Sequence, residues 1–302
     1  MKEPTALLIA DLHLSHKPPE CREGEKNWYE AMKRPLKELT GLSKKYDVPV
    51  LCAGDIFEHW KPPPELISFA IENLPDMAAI PGQHDLPLHN IEDLKKSAFW
   101  TLVKAGKIII PETNKPLQVH GTHVWGFPFG CEIQKPKDND KLNVCLAHKY
   151  VWVKDHKYRT APEKGFLGRI ENQLKGYNVA VFGDNHIPFT CTAKNGVKVW
   201  NCGSLMRRAI DQIDHTPRIG ILMSDGSVDT HYVDISKDKI TAKEEKEVNE
   251  EQREELREFL DMFDELEEDD LDYIEKIEEF LKPKDKDDPV TKILLEAIEN
   301  AR

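Results

Sequence analysis

A layered α/β architecture, with two facing mixed β-sheets flanked by helices and a small acidic helical appendage at the C-terminal end, is the expectation for this 302-residue chain. Three observations lead to it. Short apolar runs (ALLIA, VPVLCA, MAAIP, NVCLA, NVAVF) are rich in Val, Ile, Leu and Ala and closed by Gly or Pro, so they read as buried strands. The first three alternate with stretches of helical spacing, a β-α-β-α-β-α series of the kind that builds layered domains. Near Ser236 the texture changes to Glu- and Lys-rich sequence with amphipathic periodicity.

The elements follow in order. ALLIA is strand one; a loop with Pro18 and Pro19 leads to a helix over about 27–45. VPVLCA is strand two and ends in Gly54-Asp55. Pro62-Pro63-Pro64 then opens a helix, since proline suits a first turn, with Leu66, Phe69, Ala70 and Leu74 on its apolar face. MAAIP is strand three; it ends in Gly82-Gln83-His84-Asp85 and precedes a helix over about 91–104. From Lys107 onward, β-like runs (KIIIP, PLQVHG, HVWGFPFG) separated by turn residues predict a more antiparallel second half. Lys194-Asn195-Gly196 and Asp225-Gly226 mark two hairpins. The body spans 1–236 and the appendage 237–302, where three apolar stripes (Leu256 to Leu266, Leu271 to Leu281, Val290 to Ala297) predict a three-helix unit that can also meet a partner.

Composition narrows the classes. The net charge is −12, but residues 237–302 carry 12 Lys+Arg against 25 Asp+Glu, which leaves the body 30 against 29. A near-neutral body whose carboxylates are neutralised by cations can still attract a polyanion that the tail repels. The six cysteines show no C-x-x-C spacing and several sit in apolar runs, which suits reduced core thiols and a cytoplasmic setting. No segment approaches the ~18 apolar residues of a membrane span, and the N-terminus lacks the apolar core of a secretory signal.

Chemistry-bearing residues close five of the buried runs: Asp11-Leu12-His13, Gly54-Asp55, Gly82-Gln83-His84-Asp85, His148, and Gly183-Asp184-Asn185-His186. Ligands at the carboxyl ends of buried strands can converge on one crevice. In-line hydrolysis of a phosphodiester can use two divalent ions roughly 3.5–4 Å apart, and such a pair needs a bridging carboxylate. Asp55, in a Gly-Asp turn, is the candidate bridge, although a lone Gly-Asp pair is usually just a turn. Asp11 and His13, two apart on an extended chain, point to one side and can share an ion. Gln83 offers a carbonyl, His84 an acid or base, and Asp85 a partner to orient an imidazole.

These segments carry a resemblance. ADLHL, AGDIFEHWKPPP, PGQHD, AHKY and FGDNHIPF resemble the D-x-H, G-D, G-N-H-D, H and G-H-x-H motifs of the calcineurin-like metallophosphoesterases. GDIF followed by prolines, with FGDNHIP and NCGSL, is most similar to the SbcD-type DNA repair exonucleases. The resemblance implies a four-layer metallophosphoesterase fold over about 5–235. It implies one ion held by Asp11, His13, Asp55 and His186, and a second by Asp55, Gln83, His148 and Asp184. It also implies His84 as proton donor to the leaving oxygen or clamp on the scissile phosphate, with Asp85 behind it. The sequence departs from the pattern at Gln83, where Asn is usual, and at Asp184, where His is usual. Both fall on the second ion and favour Mn²⁺ or Mg²⁺ over softer metals.

Around these, His59 lies near a position where the nuclease branch carries histidine, while the matching offset holds Glu58; a substrate-side role and a plain surface residue both fit. Arg207 and Arg208 can meet phosphate oxygens or simply be surface arginines. Trp60 and Trp152 can stack bases or pack. His120 and His123 stand apart from the motifs. The expectation is a metal-dependent phosphodiesterase, a DNA nuclease using two Mn²⁺ ions, an activated water and a histidine acid. A small-nucleotide phosphatase or phosphodiesterase and a non-catalytic scaffold with a decayed second ion site are the alternatives. The resemblance further implies a homodimer and an ATPase partner of the SMC type.

Overall fold

The computed structural model describes residues 2–137, 141–154, 156–158 and 161–241, which belong to one compact unit. The helical tail expected over 237–302 lies, beyond Thr241, outside the described residues.

Twelve strands form two six-stranded sheets. The first contains β1 (Pro4–Ile9), β2 (Val50–Cys52), β3 (Met77–Ala79), β4 (Ile108–Ile109), β11 (Arg218–Met223) and β12 (Val228–Tyr232), in the order β12-β11-β1-β2-β3-β4. Strands β1 to β4 are mutually parallel, and β11 and β12 add antiparallel neighbours. The second contains β5 (Leu117–Val119), β6 (Thr122–Phe127), β7 (Leu142–His148), β8 (Val179–Gly183), β9 (Phe189–Thr192) and β10 (Lys198–Asn201), in the order β5-β6-β7-β8-β10-β9. Both expected hairpins are present, as β9–β10 and β11–β12.

The second sheet corrects one expectation. Its inner strands β6, β7, β8 and β10 run parallel, and only the edges β5 and β9 are antiparallel. Strands covered on both faces read as unbroken apolar runs, as NVCLA and NVAVF do, whereas a half-solvated antiparallel strand alternates.

Side-chain alternation builds the layers. Along β1, Leu7 and Ile9 join a core with Met32, Leu36 and Leu39 of α1 (Trp28–Tyr46), Leu66, Phe69 and Ala70 of α2 (Pro64–Asn73), and Phe99 and Leu102 of α3 (Ala98–Lys104). Ala6 and Leu8 face the other way and meet Val144, Leu146, Val181 and Trp200 of the second sheet. On that sheet's far face Cys145, Ala147, Ala180 and Phe182 pack against Leu167 and Ile170 of α4 (Leu167–Ile170). Three cores therefore separate four layers. The Asn27 side chain caps α1 by accepting the Glu30 N–H at 3.2 Å. The helix expected over 91–104 is broken by Ser97, whose hydroxyl accepts the Trp100 N–H at 3.3 Å and starts α3 afresh.

Among the described residues no helix is long and apolar enough to cross a membrane. The six cysteines are free, and Cys52, Cys145 and Cys202 are core residues. Past Ser236 the chain still packs on the body: Asp238 pairs with Arg22 and Arg34 at 3.0 Å and with Arg207 at 3.1 Å.

Candidate metal centre

Because β1, β2 and β3 are parallel neighbours in one sheet and β7 and β8 in the other, their carboxyl ends share one rim. The turns leaving that rim carry the five segments. Two bonds extend the β1–β2 ladder into them, Asp11 N–H to Gly54 O and His13 N–H to Asp55 O, both 3.0 Å. Asp11, His13, Asp55 and Asp184 all have φ between 46° and 81°, the left-handed region that non-glycine residues rarely occupy. Such backbone clusters at functional sites, where surrounding structure holds it. Gly54 (φ 100°) and Gly82 also admit the close approach the site needs. A β-carbon on Gly54 would meet the His148 ring, and one on Gly82 would meet the Asp55 carboxylate.

The side chains converge in two groups. Asp11, His13 and His186 form one, with His13 Nε2 and His186 Nε2 3.1 Å apart. Asp11, Asp55 and His148 form the other. Asp55 joins them: its Oδ2 lies 3.7 Å from His13 Nε2 and 3.4 Å from His148 Nε2, buried and without a hydrogen-bond partner. A buried carboxylate oxygen left unpaired between imidazoles is the acceptor a shared cation would take up. Gln83 and Asp184 complete the second group. Gln83 Nε2 donates to Asp184 Oδ1 at 3.0 Å, and Gln83 Oε1 accepts from His148 Nε2 at 2.6 Å. The donor set of carboxylates, imidazoles and one amide oxygen suits hard to borderline divalent ions.

The framework around the donors is fixed by backbone bonds. The Asp184 N–H donates to both Asp11 oxygens, at 3.0 and 3.2 Å, and the His84 N–H donates to Asp55 Oδ1 at 3.0 Å. His148 Nδ1 donates to Ala53 O at 2.5 Å. Asn185 holds the last segment by donating to Val151 O and His156 O and accepting the Ile187 N–H.

Charge is shared unequally. Burial, with Asp55 beside it, raises the Asp11 carboxyl well above the usual range. Burial acts on Asp55 in the same sense, but His148, His13 and His84 together outweigh it and keep Asp55 ionised. Burial would lower His148, yet the Asp55 and Asp11 carboxylates raise it to about 10. Burial and the His13 charge bring His186 down to about 3.

The remaining expected site residues divide. His84 sits at the centre, ring edge-on to His13 at 4.9 Å, with Nδ1 donating to Glu58 O at 2.8 Å. Asp85 does not stand behind it. Its buried carboxylate accepts the N–H groups of Gly82, Ile56 and Phe57 at 3.1–3.2 Å, so it ties one turn to another instead of orienting an imidazole. Burial, then the Asp55 charge, raises its carboxyl to about 7. Arg208 reaches the site, donating to His13 O and pairing with Glu58 at 3.0 Å. Arg207 does not: it is 9% exposed and committed to Asp238 and to Ile213 O. His59 is exposed, stacked on Trp60, and accepts the Lys61 N–H, outside the donor groups. Trp152 is a packing residue against Phe166.

Glu58, which the sequence places at the offset where the nuclease branch carries histidine, gains a role at the site that the motifs did not assign it. Its carboxylate lies 2.9 Å from His13 Nδ1, and with His13 and His84 it makes a third convergent group. Burial opposes its ionisation, but His13 and Arg208 bring it down to about 2. Its place three residues after Asp55 was the available signal.

A family model described as calcineurin-like phosphoesterase matches residues 4–203. No match is found among curated proteins. Among solved structures the chain is similar to the calcineurin-like phosphoesterase YfkN from Bacillus subtilis, at 12% identity and TM-score 0.46, over 86% of this chain and 100% of that one. It is similar to an archaeal phosphodiesterase at 14% identity and TM-score 0.40, over 77% and 99% of the two chains. A putative 5'-nucleotidase from Staphylococcus aureus gives 14% identity and TM-score 0.48, over 85% of this chain and 58% of that one.

Proposed function

The chain belongs to the calcineurin-like phosphoesterase family and is a metal-dependent phosphoesterase, and from that premise we propose that it hydrolyses the phosphodiester bonds of DNA with two Mn²⁺ ions. The observation that carries the two-ion reading is Asp55 Oδ2, buried and unpaired between His13 and His148. Asp11, His13, Asp55 and His186 would hold one ion; Asp55, Gln83, His148 and Asp184 would hold the second. When bound, such ions activate a water and offset the charge that develops on the phosphoryl oxygens. DNA as substrate and Mn²⁺ as ion are supported by the GDIF, FGDNHIP and NCGSL segments and by the hard oxygens of Gln83 and Asp184.

The chain's own groups supply orientation and the proton. His84 donates its Nδ1 proton to the Glu58 carbonyl, which fixes the tautomer and leaves Nε2 to exchange a proton with the departing oxygen. Arg208, held by Glu58 and by His13 O, places a guanidinium beside the first group, where it can meet a phosphate oxygen. Asp85 keeps the Gly82 and Asp55 turns in register and so positions Gln83 and His84.

The test is hydrolysis of linear DNA and of bis(p-nitrophenyl) phosphate with Mn²⁺ by the wild type, His84→Ala and Asp55→Ala. Both variants should lose most turnover. Unchanged rates in both would overturn the mechanism, and a wild type that cleaves the small diester but spares DNA would overturn the substrate.

A further inference from the structure

A cleft of about 590 Å³ opens beside the second donor group, bordered by His148 and Asp184 and lined by Phe129, Lys149, Tyr150, Lys164 and Arg169. None of these five lining residues is a metal donor; Lys149 and Tyr150 directly follow the donor His148. We infer that this cleft is the seat of a polynucleotide strand, holding the nucleotides next to the scissile bond; the inference rests on the phosphodiesterase reading above and names its substrate form.

Three cations line the cleft. Apart from the ligand Asp184, Glu132 is the one acid among the described lining residues, so with Asp184 taken up by an ion their balance is cationic. A single scissile phosphate is already served by the ions and Arg208. Lys149, Lys164 and Arg169 are therefore surplus to it and suit the further phosphates of a strand, as cationic grooves track a backbone elsewhere. Among the described residues Arg169 makes an exposed pair with Glu163 at 3.3 Å, which a phosphate can replace.

The aromatic rings are held ready. The Tyr150 hydroxyl accepts the Tyr158 N–H at 3.0 Å, which fixes its half-buried ring. The Phe129 N–H donates to Pro81 O at 3.1 Å, tying that loop to the turn that carries Gln83 and His84, and its ring lies 6.4 Å from His148. Rings fixed beside cations at the edge of a hydrolytic centre are a stacking platform for bases, which any base can use. The turn bearing Lys164 is seated on this wall by Gly165, whose missing side chain lets it lie against the Tyr150 carbonyl and accept the Trp152 N–H at 3.0 Å.

The test is fluorescence anisotropy of a labelled single-stranded oligothymidylate with the full chain, loaded with Mn²⁺ and carrying His84→Ala in every form compared to withhold turnover, across a salt series. Lys164→Ala/Arg169→Ala should weaken binding about tenfold at low salt and flatten the plot of log affinity against log salt by about 1.4, since each lost contact to a single strand removes about 0.7. Tyr150→Ala should weaken binding about tenfold while Tyr150→Phe, which keeps the ring, holds the affinity of the His84→Ala parent. An unchanged salt slope in the double variant, or an oligonucleotide bound no more tightly than a mononucleotide, would overturn the inference. Turnover of bis(p-nitrophenyl) phosphate by the wild type judges the phosphodiesterase reading separately, so the two fail apart.

Discussion

Two glycines of this chain should respond in opposite directions to the same added methyl group. Gly82 has φ −90° and ψ −176°, backbone that any residue adopts, so alanine there is tested by contact alone. Its β-carbon would run into the Asp55 carboxylate and the Asp55 backbone nitrogen. Overpacking of this kind costs about 1–3 kcal/mol. Gly41 lies inside α1, exposed, with nothing within 4 Å of an added β-carbon, and alanine in a helix interior gains about 0.5–1 kcal/mol over glycine. At about 2–4 °C per kcal/mol for a domain of this size, Gly41→Ala should raise Tm by about 1–4 °C and Gly82→Ala lower it by about 2–12 °C. Thermal unfolding in EDTA, followed by tryptophan fluorescence, reads both Tm shifts and urea unfolding reads the free energies; every tryptophan falls between Trp28 and Trp200, so the signal reports the body and not the acidic tail. Isothermal titration with Mn²⁺ should then show Gly82→Ala losing ion affinity, because the displaced group is the Asp55 carboxylate, which on the proposed reading would serve both ions. A Gly82→Ala protein within about 0.5 kcal/mol of wild type that still binds two ions would refute the account of how Asp55 is held.

Three further expectations are separable from this one. His84→Ala should still bind two Mn²⁺ ions by calorimetry while turnover falls about 10²–10⁴-fold; loss of an ion would make His84 a ligand instead. Asp184→His replaces a hard oxygen with an imidazole nitrogen and should shift competition at the second site from Mn²⁺ toward Zn²⁺, with unchanged competition curves counting against Asp184 as a ligand. Glu25 is held by Arg22 at 2.7 Å and Arg34 at 2.8 Å. Burial raises its carboxyl, but Arg34, the Lys239 N–H and Arg22 together hold it below its ordinary 4.5. A depressed folded value means that this stabilisation is complete above pH 4.5 and fades as pH falls through the lower folded value. The Tm gap between wild type and Glu25→Gln should therefore be wide at pH 7 and close under acid; a gap that widens below pH 4 would reverse the sign.

The strand-end segments were readable because each follows an apolar run that only a doubly covered strand explains, and parallel strands deliver their carboxyl ends to one rim. Asp11, His13, Asp55, His148 and His186 could therefore be named before any contact was known. What pairs across long separations was not readable. Nothing in RIGILM indicates that β11 borders β1, and although the unbroken apolar runs of β7 and β8 mark strands covered on both faces, the parallel direction of β6, β7, β8 and β10 is set by the crossovers between them. Adjacent arginines show the same limit: Arg208 turns to Glu58 and the site, while Arg207 turns to Asp238, a partner more than thirty residues away. Asp85 looked like an imidazole's partner because it follows His84, but side chains of neighbours in a tight turn diverge, and three backbone N–H groups claimed it. Phe129 belongs to no spacing rule, and Glu58 and Tyr150, though they stand beside or within the quoted segments, take their roles only from tertiary proximity.

The left-handed backbone at Asp11, His13, Asp55 and Asp184 sets two selection pressures against each other. Glycine at any of these positions would relax a conformation that stores on the order of 1–3 kcal/mol, and would delete a donor in the same step. Heat and ion scarcity would thus pull the same four codons apart, the first toward glycine and the second toward the residue already present, so drift toward a hardier but ion-free descendant begins at the centre and not at the surface.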